Sequence, residues 1–151
     1  MSDYRLRPEV KVGAASAAVC GWAGVLDAVR QRLSKIAGER GGRLVLAIEC
    51  YPGTNVDELR EGLVEPLGAD VTLLADDFAW DASRVQGRIA DTITDDRVFG
   101  ILSHYTEDEF FDADRVGRAR ADVLSASGLA VVYGVGATVI CPDPDLLLYA
   151  D

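Results

Sequence analysis

The chain has 151 residues, of which 49% are hydrophobic and 26% charged, and its formal net charge is -10 at pH 7. This length suits one domain with a hydrophobic core, which excludes a chain that is disordered throughout. Twenty-five acidic residues against fifteen basic ones make the surface a poor electrostatic match for nucleic acid or an anionic membrane. We therefore expect neither as a partner.

The sequence shows no targeting or membrane-spanning segment. No apolar run reaches the roughly 18 residues of a membrane span, and the opening residues, MSDYRLRPEVKVG, lack the apolar block of a signal peptide. The three cysteines, Cys20, Cys50 and Cys141, are odd in number and far apart, so they indicate neither a disulfide framework nor a metal site. We expect a protein of the reducing cytoplasm.

The first half of the chain predicts an extended arm over residues 1–18 and the start of one α/β domain over residues 19–151. A first amphipathic helix is indicated by apolar residues at three- and four-residue steps, at Trp22, Leu26, Val29, Leu33 and Ile36. The segment RLVLAIE, from Arg43 to Glu49, is apolar without alternation, as in a strand buried on both faces. The turn CYPGTN and the short helix VDELREGL follow, with Thr54 or Asn55 as the N-cap.

The second half continues the alternation of strands and helices. A strand, DVTLLA, precedes a helix capped by Asp81, and the segment TDDRVFGIL is ambiguous between a loop and a short strand. Asp112 or Asp114 opens the next helix, and Gly128 is placed to end it in the left-handed conformation. Two more buried strands, LAVVY and DLLLYA, flank ATVI, which suits a helical turn or a short strand.

This alternation predicts a three-layer α/β fold with a mainly parallel sheet of four or five strands. The predicted strands are Leu44–Ile48, Val71–Ala75, Leu129–Tyr133 and Leu146–Tyr149. A covering helix usually follows the last strand of such a sheet. Because this chain stops directly after a strand, we expect it to be a domain of a longer polypeptide.

The carboxyl ends of the strands are the predicted site, because helix N-termini and backbone N–H groups gather ligands at that edge. A phosphate-binding P-loop has Gly-x-x-x-x-Gly-Lys-Ser/Thr there. Here Gly53 is the only glycine, and Val56 or Asp57 stands where the lysine would be. A plain turn is therefore the favoured interpretation, and any pocket should suit a hydroxyl-rich group better than a polyphosphate. We predict no catalytic residue and no metal ligand. The weak ligand-binding candidates are Gly53, Thr54, Asn55, Asp76, Asp77, Gly134 and Gly136.

Two segments resemble uridine-kinase-like P-loop kinases. LLADDFAWD is similar to the family's Asp-Asp-Phe-Tyr segment, and GLAVVYGVGATVICPDPDLLLYAD is similar to its later pair of strands. In that family an aspartate of the first segment serves the substrate hydroxyl. The resemblance implies that the Leu129 strand lies next to the Leu44 strand, with the Leu146 strand on its other side. The P-loop lysine is missing, however, and Tyr133 precedes Gly134 where the kinases have an acid.

A closer resemblance covers nearly all of the chain. The segments CYPGTNVDELREGL, DDFAWDA, TDDRVFGIL, EDEFFDADRV and VVYGVGATVICPDPDLLLYAD resemble the N-terminal domain of certain bacterial mannose-6-phosphate isomerase-like proteins. In these proteins a kinase-like α/β domain precedes a cupin domain that carries a zinc site. The chain has a single histidine, His104. The resemblance therefore implies that zinc and isomerase activity belong to a C-terminal cupin domain.

Three functions follow from these observations as hypotheses. The leading one is a non-catalytic accessory domain, regulatory or interacting, without a cofactor of its own. It would bind a sugar phosphate or nucleotide weakly, or mediate contacts between subunits, including those of a homo-oligomer. The second is a small-molecule phosphotransferase of the nucleoside-kinase type, with Asp76 or Asp77 as base and magnesium partner. The third is a purely structural interaction domain.

Overall fold

Four parallel strands form one sheet with helices on both faces in the computed structural model, which describes residues 18–96 and 98–151. The strands are β1 (Leu44–Cys50), β2 (Val71–Leu74), β3 (Leu129–Gly134) and β4 (Leu146–Ala150), in the order β2-β3-β1-β4. The predicted three-layer α/β fold is therefore confirmed. Residues 1–17 of the predicted arm lie outside the described residues.

The strand order agrees with the kinase-like expectation for β1 and β3 and differs from it for β4. The central pair, β1 and β3, is parallel and places Leu46 opposite Val131. The other side of β3 is occupied by β2 rather than by β4. Strand β4 pairs instead with β1, where Leu46 lies opposite Leu146. The two most buried strands thus lie at the centre of the sheet.

The helices on each face of the sheet bury a separate cluster of apolar side chains. Helix α1 (Gly21–Arg40) packs Val29 and Leu33 against β1 and β3 on one face. The helical stretch after β1 covers the same face and consists of α2 (Val56–Leu59), a π-helical segment (Arg60–Val64) and α3 (Glu65–Leu67). On the opposite face lie α5 (Ala113–Ser125) and α6 (Ala137–Ile140). Helix α4 (Ala82–Ile89) follows β2 and has no buried residue.

Side-chain caps fix the start of three helices. Asn55, Asp81 and Asp112 each accept a hydrogen bond from a backbone N–H three residues later, at 3.3, 2.9 and 3.1 Å. Asn55 rather than Thr54 is therefore the cap of α2, and Asp112 rather than Asp114 opens α5. The prediction for Gly128 was wrong. Helix α5 ends at Ser125, and Gly128 has no positive φ; its N–H donates to the carboxylate of Asp70 as the chain enters β3.

The two ambiguous segments are also resolved by the fold. ATVI forms the helix α6, whereas residues 94–96 and 98–102 form neither helix nor strand. The π-helical segment was not predicted from the sequence, and it contains Gly62. A Cβ atom at that position would overlap the indole of Trp22, whose Nε1 donates to Glu58 at 3.0 Å. None of the helices in the described residues is long and apolar enough to span a membrane.

Candidate functional site

The predicted site residues lie along one edge of the sheet, because parallel strands end on the same side. Residues 51–55 follow β1, a 3₁₀ turn (Ala75–Phe78) follows β2, and Gly134 ends β3. The strand order places β3 between the other two. It therefore brings Gly134 to Asp76 but leaves the Gly53–Asn55 turn on the side of β4.

The Gly53–Asn55 turn is a helix-capping turn. Gly53 has a φ of 108°, which favours glycine. The Thr54 hydroxyl donates to the carbonyl oxygens of Tyr51 and Ala150 at 2.8 and 3.0 Å, which ties the turn to the end of β4. Asn55 caps α2 through its side-chain oxygen. These side chains make the local bonds expected of a strand-to-helix connection, as the favoured interpretation of the sequence holds.

The loop after β3 is arranged around Glu49, which the sequence analysis did not single out. The half-buried carboxylate of Glu49 accepts from the backbone N–H of Gly136 at 2.6 Å. It also accepts from the N–H and the hydroxyl of Thr138, both at 2.7 Å. Backbone N–H groups that could bind an external anion are therefore already bonded to a carboxylate of the protein itself.

Position 136 cannot carry a side chain in this arrangement. Its φ is 82°, and a Cβ atom there would overlap the ring of Phe111. Both the backbone conformation and the close approach of the ring exclude a side chain. Gly136 thus serves the packing of this loop.

Asp76 and Asp77 have different surroundings although they are neighbours in sequence. Asp76 Oδ2 accepts from the N–H of Val135 at 3.1 Å, so this carboxylate also binds the loop after β3. Asp77 is bound through its backbone carbonyl, which accepts from the guanidinium of Arg115. Both residues are exposed. Within the described residues, no three His, Cys, Asp or Glu side chains are grouped so that they could hold a metal ion.

A cavity of about 400 Å³, called the carboxyl-edge cavity below, opens at this edge of the sheet. It lies between the turn after β1, the end of β4 and the 3₁₀ turn Glu107–Phe110. Its lining includes three acidic residues and no lysine or arginine. Two tyrosines with exposed side chains stand at the cavity, Tyr51 at 70% and Tyr149 at 77% exposure. The lining residues are Glu49, Cys50, Tyr51, Pro52, Glu107, Val135, Tyr149, Ala150 and Asp151.

Two of the side chains that line the cavity, Glu107 and Cys50, have raised pKa values. Burial raises the pKa of Glu107, and the carboxylates of Glu49 and Asp108 raise it further. Burial also raises the pKa of the Cys50 thiol, against the opposing effect of a hydrogen bond from the Gly134 backbone. Cys50 is therefore a protonated, buried side chain at neutral pH and is not an activated nucleophile.

Comparisons with known proteins identify a family and nothing beyond it. A family model described as a domain of unknown function, DUF8485, matches residues 21–151. The chain belongs to this family. No curated protein matches the chain, and no solved structure does. The resemblances to mannose-6-phosphate isomerase-like proteins and to uridine-kinase-like kinases therefore stay predictions.

Within the matched region, the histidine lies apart from the carboxyl-edge cavity. His104 is exposed in the loop before the Glu107–Phe110 turn and lines a different cavity with Arg88, Asp91 and Tyr105. The residues that the sequence analysis missed are Glu49, Tyr51, Glu107 and Tyr149. One signal was available for Glu49, since it is an acidic residue at the end of an otherwise apolar strand.

Proposed function

We propose that the chain is a non-catalytic accessory domain of a mannose-6-phosphate isomerase-like protein, regulatory or interacting, in the cytoplasm. We further propose that its carboxyl-edge cavity binds a small, hydroxyl-rich and uncharged group. The observation that carries the choice of ligand is the set of hydrogen bonds from the loop after β3 to Glu49 and Asp76. An external phosphate would compete for these donors with carboxylates that are already in place.

The chemistry of the cavity supports the same ligand class. Sugar hydroxyls are hydrogen-bond donors, and the carboxylates of Glu49, Glu107 and Asp151 are acceptors. The exposed rings of Tyr51 and Tyr149 offer apolar surface to the C–H face of a sugar. For a sugar phosphate, this favours the sugar ring inside the cavity and the phosphate outside it.

The phosphotransferase hypothesis has less support. Phosphoryl transfer depends mainly on positive charge placed around the transferring group. The cavity lining contains three acids and no basic side chain. The turn after β1 also lacks the P-loop lysine.

The test is a titration of the ¹⁵N-labelled chain with mannose, mannose 6-phosphate, inorganic phosphate and magnesium-ATP. We expect mannose to shift the amide signals of Tyr51 and Val135, and magnesium-ATP to bind no tighter than about 1 mM, the weak end of the affinity scale. Tyr51→Ala should weaken the sugar response. Phe99→Ala is the matched control, because Phe99 is an equally exposed aromatic residue outside this cavity.

Two outcomes would contradict the proposal. Micromolar binding of magnesium-ATP with turnover would favour the phosphotransferase, and no response to any of the compounds would favour a purely structural domain. The accessory role has a separate test. A cupin domain with zinc ligands encoded downstream of Asp151 in the natural gene would support it, and an unrelated domain there would contradict it.

A further inference from the structure

Among the described residues, β4 is an edge strand of the sheet. β4 pairs with β1 on one side, and no strand of the described residues lies on its other side. Its five residues, LLLYA, include no charged residue and no proline. Soluble proteins usually protect such an edge with charges, prolines or bulges, since its free backbone groups otherwise recruit another strand.

The other edge strand of the sheet, β2, is shorter, with four residues against five, and its exposed residue is the polar Thr72. The exposed residue of β4 is Tyr149, whose side chain is 77% exposed. β4 therefore offers a second strand more pairing positions and more apolar surface than β2 does.

An apolar groove of about 420 Å³ lies beside the carboxyl end of β4. It runs between the start of α1 and the residues Leu148 to Asp151. Trp22, which lines it, is 38% exposed although it is a large apolar side chain. An edge strand next to exposed apolar surface is typical of an interaction site.

The charges at the two ends of β4 indicate what pairs with it. Arg40 binds Asp145, just before the strand, and its side chain is 68% exposed. Asp151 is exposed directly after the strand. If two copies of β4 pair antiparallel about a two-fold axis at Leu148, the middle residue of the strand, residue 151 of each copy lies opposite residue 145 of the other. Each Asp151 then reaches the Arg40 of the partner copy.

We propose that a second copy of this chain pairs with β4 in this antiparallel, two-fold arrangement. The four strands of each copy then form one continuous sheet. A self-complementary interface of this kind is the commonest form of homo-oligomer. The net charge of -10 on each copy opposes association, but physiological salt screens charges beyond about 8 Å. The ion pairs at the ends of the strands are closer than that and keep their effect.

The test is analytical ultracentrifugation of the full chain in physiological salt, up to about 0.5 mM. We expect a concentration-dependent dimer. Asp151→Arg should raise the dissociation constant about tenfold, because it places two arginines together at each end of the strand pair. Asp122→Arg is the matched control. It changes the net charge by the same amount, at an exposed position on α5, and should leave the dimer intact or strengthen it.

Two further variants keep the proposal falsifiable. Tyr149→Lys adds a charge to the edge strand at an exposed position and should also weaken the dimer. Combining Arg40→Glu with Asp151→Arg reverses both ends of the ion pair and should recover at least part of the lost affinity, with circular dichroism checking the fold. A wild-type chain that stays monomeric overturns the proposal. A dimer that responds equally to Asp122→Arg and Asp151→Arg, or to neither Asp151→Arg nor Tyr149→Lys, also overturns it.

Discussion

Replacing Glu49 by alanine should destabilise the fold more than substitution of a half-buried residue usually does. The substitution removes an acceptor that binds three donors, two on Thr138 and one on Gly136, at 2.6–2.7 Å. Hydrogen bonds to a charged group are worth about 1.5–3 kcal/mol each. Because water can reach donors at a half-buried site, the three bonds should not count in full. We expect a loss of about 3 kcal/mol in the free energy of unfolding.

Urea unfolding followed by circular dichroism measures this loss, with the slope of free energy against urea serving as a check on two-state behaviour. For a chain of this size, the same loss lowers Tm by about 6–12 °C. Glu49→Gln keeps one acceptor oxygen and should lose about half as much. Glu39→Ala, at an exposed position on α1, is the control and should stay within about 0.5 kcal/mol of the wild type. If Glu49→Ala behaves like this control, the three hydrogen bonds do not hold the loop, and the choice of ligand loses its basis.

Three further predictions concern the same edge of the sheet. Gly136→Ala should lower the free energy of unfolding in urea by at least about 2 kcal/mol, because of its positive φ and the ring of Phe111. Gly117→Ala, in open space on α5, should raise it by about 0.5–1 kcal/mol. Equal effects of the two substitutions would contradict this packing. Asn55→Ala should lower the free energy of unfolding by about 1 kcal/mol because the cap of α2 is lost, whereas Asn55→Asp, which keeps a capping oxygen, should change it little. An equal loss for both substitutions would contradict the capping role. Glu107→Gln should raise Tm at pH 7 and leave it unchanged below pH 4.5, the ordinary pKa of the group. Because the pKa of Glu107 is raised in the folded state, the wild-type protein loses stability as pH rises through that folded-state pKa and the side chain ionises. A higher Tm of the variant only at low pH would refute this burial effect at Glu107.

The strands could be predicted because their signal is local. A run such as Leu44 to Ile48 is apolar at every position, which occurs where both faces of a strand are covered, and the same holds for Leu129 to Tyr133. The caps Asp81 and Asp112 were also readable, since a cap and the N–H it binds are three residues apart. Gly128 shows the limit of such local rules. A glycine after a helix suits a left-handed end, but here it leads into β3 beside Asp70.

The arrangement of the site depended on contacts that no local pattern contains. Glu49 and Gly136 are 87 residues apart, and they meet because β1 and β3 are neighbours in the sheet. The sequence predicts glycines and acids on one edge, with a pocket that suits a hydroxyl-rich group better than a polyphosphate. In the structure, the carboxylates of Glu49 and Asp76 bind the backbone donors of the loop after β3. The N–H groups of this loop would attract a phosphate if they were free, but they are already bound to carboxylates of the protein. The cavity beside the loop keeps carboxylate acceptors for hydroxyl groups. The ligand preference that we propose rests on the strand order, because that order decides which carboxylate reaches which N–H group.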